Sequence, residues 1–198
     1  MTVTIQYSSE FADSTLSSYT QMWTTRNGDI REIEHKYLGS FYGDFVSDFQ
    51  NQYVVGSSHG TEAAMIVQGN IRSAVVYYGK IENLELGDHY DFDIVSQQLD
   101  ERQLKLSGLD ITSEYDATKT MAENEQGETH KIIYGLMCGN ATPLLEILQT
   151  KGIDINTPLK DLAIASLFDS PSEVQADAPI IGTIGMTDDF DSAMLIAA

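Results

Sequence analysis

The stretch from Glu62 to Gly87, EAAMIVQGNIRSAVVYYGKIENLELG, decides the fold. β-Branched and aromatic residues dominate it, and small residues interrupt it, so it reads as three short strands joined by small turns. Gly69-Asn70 is expected to be a tight hairpin turn. Within KIENLEL the apolar set moves from odd (Ile81) to even positions (Leu84, Leu86). A second slip, from Leu104 and Leu106 to Leu109 and Ile111, crosses Ser107-Gly108. A slip of one residue turns a strand over, so each site predicts a bulge or bend and hence a strongly curved sheet.

Outward from this stretch, FYGDF, QYVVG, YDFDIV, QLKL and LDI extend the same β-meander from Phe41 to Ile111. Upstream, the alternation in residues 3–7 (VTIQY) predicts one more strand. Asp13-Ser14 then offers the N-cap of a helix carrying Leu16, Tyr19 and Trp23, and Gly28 ends it. DIREIEHKYLGS, between Asp29 and Ser40, has no period and reads as a loop long enough to carry function.

The last third is helical. Ile132, Ile133, Leu136 and Met137 form one stripe that Gly139-Asn140 can stop. Thr142-Pro143 and Thr157-Pro158 share one helix-start design, a hydroxyl followed by proline. Leu144, Leu145, Ile147 and Leu148 follow the first; Leu159, Leu162, Ala163 and Leu167 follow the second. Strands first and helices second give the α+β class: a single domain whose strongly curved antiparallel β-sheet is covered on one face by about four helices. That domain is assigned to residues 1–170, and residues 171–198 to an irregular tail.

Composition bounds the function. Lys+Arg 11 against Asp+Glu 30 gives a formal charge of −19, the wrong sign for nucleic acid or an anionic membrane surface. No apolar run approaches the ~20 residues of a membrane-spanning helix. Cys138 is the single cysteine, which rules out an internal disulfide, and in GLMCGN it reads as a small core residue. His35, His59, His89 and His130 never pair at helical metal-ligand spacing. Walker, GxSxG and GxGxxG motifs are absent, so the reading is not an enzyme. What remains is aromatic. Tyr37, Phe41, Tyr42, Phe45, Tyr53, Tyr77 and Tyr78 suit either a half-buried sheet or a flat apolar ligand with a Tyr or His reaching a metal.

TIQYSSEFADSTLSSY, GSFYG, QYVVGSSH, YGKIENLELG, MAENEQGETHKIIYGLMCGN, PLLEILQTKGIDINT and the apolar end AMLIAA occur in order along nearly the whole chain. In these stretches the protein resembles the HasA-type hemophores. The resemblance implies a secreted, extracellular protein that binds heme b, takes it from host hemoproteins and delivers it to a TonB-dependent outer-membrane receptor. It also implies export through an ABC-type exporter that reads the C-terminus. DDFDSAMLIAA fits that role, and MTVTIQYSS lacks the pattern of an N-terminal signal.

In the family, heme iron lies between two loops, the first often offering a histidine and the second a tyrosine supported by a neighbouring histidine. Laid on this chain, the first position falls on Glu32 and the second on Ser73, and the loop between Ser73 and Gly79 is shorter than the family's. A serine hydroxyl stays protonated and binds ferric iron poorly, whereas a phenolate binds it well. The nearest substitutes are Tyr77 and Tyr78 in the hairpin and His35 or Tyr37 on the first loop, with Tyr42 nearby. The alternative is a hemophore-fold interaction protein that does not hold heme tightly.

Overall fold

The computed structural model describes residues 2–34, 38–42, 51–73, 75–90 and 98–168. Seven strands, β1 (Thr4–Tyr7), β2 (Ser40–Tyr42), β3 (Asn51–Gly56), β4 (Ala63–Ser73), β5 (Tyr77–Asp88), β6 (Glu101–Ser113) and β7 (Ala165–Leu167), form one sheet in the order β2-β3-β4-β5-β6-β1-β7. Four α-helices accompany it among the described residues: α1 (Leu16–Asn27), α2 (Met121–Asn124), α3 (Glu128–Met137) and α4 (Thr142–Thr150). This is the expected α+β architecture. The sheet is antiparallel except at one edge, where β7 runs parallel to β1.

Alternation along the strands sorts their side chains onto two faces. Tyr53, Met65, Val67, Ile71, Tyr77, Leu84 and Leu106 meet Trp23 of α1, Ile133 and Leu136 of α3 and Leu144 of α4 in one continuous core. Val54, Ala64, Ile66, Tyr90 and Leu99 make a smaller cluster on the other face. The stripes read from the sequence for α1 and α3 are therefore the buried ones. The cap of α1 is Thr15 and not Asp13-Ser14. Its hydroxyl accepts from the Ser18 amide, and Ser18 returns a bond to the Thr15 amide.

Gly69-Asn70 is not a hairpin turn. β4 runs straight through it to Ser73, and a register shift between Gln68 and Gly69 absorbs one residue as a bulge. Gly69 has φ +154°, and a Cβ there would lie 2.1 Å from the Lys80 carbonyl oxygen, so close strand approach and not chain reversal selects glycine. The slip at KIENLEL is a bulge between Ile81 and Asn83, opposite the second slip at Ser107–Ile111, where Gly108 and Asp110 take positive φ. QLKL and LDI are thus one strand, β6.

The second Thr-Pro site also departs from expectation. Leu159–Asp161 is a single 3-10 turn, and the chain then extends into β7. The amides of Leu159 and Lys160 donate to the carbonyls of Ser14 and Ala12, while the Ile5 amide donates to the Ile164 carbonyl and the Phe168 amide to the Tyr7 carbonyl. Those external partners displace the i→i+4 bonds a helix would need. The predicted strand YDFDIV and the tail 171–198 lie largely or wholly outside the described residues.

Candidate functional site

α3 buries Ile132, Ile133, Leu136 and Met137, and this rotation presents His130, Tyr134 and Cys138, spaced at i, i+4 and i+8, along one side of the helix. The hairpin end of β5 supplies Tyr77, whose ring stacks on His130 at 5.7 Å; His130 in turn stacks on Tyr134 at 5.2 Å. Tyr53 lies 5.1 Å from Tyr77, and Phe41 lies 4.7 Å from Tyr53. Five rings, Phe41, Tyr53, Tyr77, His130 and Tyr134, therefore form one row from the β2 edge of the sheet across to α3. Ring pairs at these spacings stabilise beyond the area they bury.

Hydrogen bonds fix the row. The Tyr53 hydroxyl donates to the Leu38 carbonyl, so the Tyr77 hydroxyl, 2.8 Å away, donates to Tyr53. The Tyr77 amide donates to His130 Nδ1 at 3.2 Å. Burial raises the Tyr77 phenol above its ordinary value. Burial likewise lowers the His130 imidazole below 6.5, against the nearby Glu125 carboxylate.

Beside this row opens a cleft of about 560 Å³, within the roughly 300–1,000 Å³ of small-molecule sites. Arg31 and Val75 supply two lips of the lining, with His130, Lys131, Tyr134 and Cys138 alongside them. The Arg31 lip is a 3-10 turn (Ile30–Glu32) anchored to the end of α3: Asp29 bridges to Cys138, and Asn27 Nδ2 donates to the Leu136 carbonyl. Arg31 clamps Asp29 in return, which holds that carboxyl down at about 2. The other lip is strained. Val75 has φ +80° and is 79% exposed, an unfavourable backbone for a β-branched residue.

The structure separates the candidate residues. Glu32 is exposed at the end of the 3-10 turn. Ser73 is exposed at the end of β4, directly opposite Tyr77 in register. Tyr77 is buried and stacks on His130 of the cleft wall without lining the cleft itself. Tyr78, one residue on, points to the other face and packs on Tyr115. Tyr42 also faces away, packing near Tyr90 in the smaller cluster. His35 and Tyr37 lie outside the described residues. His130, Lys131, Arg31 and Cys138 were not foreseen as site residues. Cys138 is half-buried: it packs against the main core, as expected, and also lines the cleft wall. The i, i+4, i+8 line of His130, Tyr134 and Cys138, running beside the apolar stripe, was the available signal.

A family model described as heme-binding protein A (HasA) matches residues 1–198. The chain belongs to the HasA family. The hemophore HasA of Serratia marcescens is 25% identical over 181 residues, covering 84% of this chain and 92% of that protein. The apo hemophore HasA of Yersinia pestis superposes with a TM-score of 0.77 at 38% identity, over 86% of this chain and 98% of that one. A holo structure of the Yersinia pestis hemophore gives 0.77 at 37% identity, over 84% and 99%. The HasA fold therefore extends over the sheet and helices that build the cleft.

Proposed function

We propose that this HasA-family protein acquires heme outside the cell and delivers it to an outer-membrane receptor, holding heme b in the cleft beside α3. The carrying observation is the five-ring row whose last two members, His130 and Tyr134, line the cleft. Stacked rings in the wall and the exposed Val75 side chain in the lining suit a large flat ligand. When bound, heme supplies the iron chemistry; the chain's part is to bind and orient it.

Iron ligation in this reading differs from the family's. Of the hairpin tyrosines, Tyr77 is the proposed phenol: it stacks on His130 of the cleft wall, and its buried hydroxyl would have to leave Tyr53 to reach a ligand. Tyr53 could then donate to the phenolate, the role a histidine plays in the family. Export is assigned to DDFDSAMLIAA, and no catalytic step is assigned.

A second reading is favoured by the committed hydroxyl of Tyr77 and by serine at position 73: a hemophore-fold interaction protein without tight heme binding. Titration of the apo-protein with hemin separates the two. A saturable one-to-one Soret band supports the first, and no band at micromolar protein sinks it. If heme binds, Tyr77→Phe should alter the spectrum while Tyr78→Phe should not; identical spectra in both would remove the tyrosine ligand.

A further inference from the structure

His130 has a definite hydrogen-bonding direction. A backbone N–H can only donate, so the Tyr77 amide requires an unprotonated Nδ1 lone pair, and the neutral ring must carry its proton on Nε2. Nε2 bonds nothing among the described residues, yet it is not a sealed orphan: the one buried side-chain atom left unpaired among them is Asp88 Oδ1. His130 itself lines the cleft. Although the ring is buried overall, its Nε2–H is the group it has left for a ligand in the cleft.

The charge around it is unusual for this chain. Against a net −19 overall, the cleft lining carries Arg31 and Lys131 with Glu125 as its one carboxylate. Arg31 is occupied by Asp29, whereas Lys131 makes no ion pair among the described residues. Lys131 is thus the cation left to meet an anionic group at this cleft, and an N–H donor beside it gives that group a direction.

We propose that His130 is the ligand-orienting donor of this cleft: its Nε2–H, fixed by the Tyr77 amide, binds a carboxylate of the incoming heme with Lys131 alongside, and the ring is not an iron ligand. A proton on Nε2 blocks the lone pair that iron would need, and Nδ1 is spent on Tyr77. The same amide bond couples the donor to the hairpin carrying Tyr77, so the residue that orients the ligand is also the one that senses the hairpin. This inference rests on the cleft being the heme site.

Nitrogen-15 NMR of the free protein reads the tautomer directly. The expected result is a protonated Nε2 and a bare Nδ1; a protonated Nδ1 or a charged ring at neutral pH would overturn the proposal. Gallium(III) protoporphyrin IX, a diamagnetic probe, is then added. The Nε2–H resonance should persist and move downfield, and His130→Leu should weaken binding about tenfold while His130→Gln, which keeps a donor, stays near the parent. Binding with an unmoved Nε2–H, or loss of its proton, overturns the donor role alone. No binding of the probe overturns this role and the heme reading together.

Discussion

The hydroxyl of Tyr77 stands 2.8 Å from that of Tyr53 and donates a hydrogen bond to it, while Tyr53 donates its own to the Leu38 carbonyl. Residues 24 apart in sequence thus make a directional chain that ends on the first loop. Removing its middle member tests its weight. Tyr53→Phe should cost about 1–2 kcal/mol, since Tyr77 would keep only Met137 Sδ, 3.6 Å away, as an acceptor. Urea denaturation measures the loss, and a double-mutant cycle with Tyr77→Phe should return a coupling of about 1 kcal/mol.

Val75 is held at φ +80° with its side chain in solvent, so the backbone cost has no packing gain to offset it. Val75→Gly should raise stability by about 0.5–1 kcal/mol, the relief of left-handed strain less the added chain entropy. Val75→Ile, which keeps the β-branch, should give no gain. Thermal melts of the three proteins decide the matter, and a less stable glycine variant would contradict the strain.

Gly69 tests the bulge. A methyl group there would lie 2.1 Å from a backbone carbonyl that cannot swing away. Gly69→Ala should cost at least about 3 kcal/mol or abolish folding. Were Gly69-Asn70 a hairpin turn, Gly69→Asn would be mild; the bulge requires that it be as damaging as alanine, as circular dichroism and denaturation would report.

Asp29 sets a pH limit on the first lip. Its folded value of about 2 lies below the ordinary 3.8, because Arg31 bonds the carboxylate. The unfolded chain therefore takes up the proton first on acidification. The stabilisation is whole above 3.8 and is lost as the pH falls from there towards about 2. Asp29→Asn should remove this dependence, lowering stability near neutrality and converging on the parent at the acid end. Carboxyl NMR titration and acid melts of both proteins provide the check, and parallel acid profiles would refute it.

Much of the fold was legible because its signals are local. The α1 and α3 stripes, the stop at Gly28 and the two phase slips each depend on residues a few positions apart, and the structure keeps them. The site was less legible. Tyr77 could be singled out as an aromatic in the hairpin, but its separation from Tyr78 needed the strand register. His130 reaches Tyr77 across 53 residues, so no local window contains the pair. A search for a supporting histidine within the hairpin finds none between His59 and His89, and the imidazole that meets Tyr77 comes from another element.

By itself, then, the sequence determined the periodicity of strands and helices, the sites where strands turn over, and the acidic character of the surface. These follow from short-range sterics, side-chain alternation and composition. Tertiary structure alone decided that Gly69 is a bulge, that the segment after Thr157-Pro158 extends into β7, and that Tyr77 lies under His130. In each case a distant partner supplied the deciding contact: the Lys80 carbonyl facing Gly69, the carbonyls of Ala12 and Ser14 with strand β1, and the side of α3. A non-local hydrogen bond or packed ring outweighs a local propensity of a fraction of a kcal/mol per residue, and only the assembled sheet brings those partners within reach.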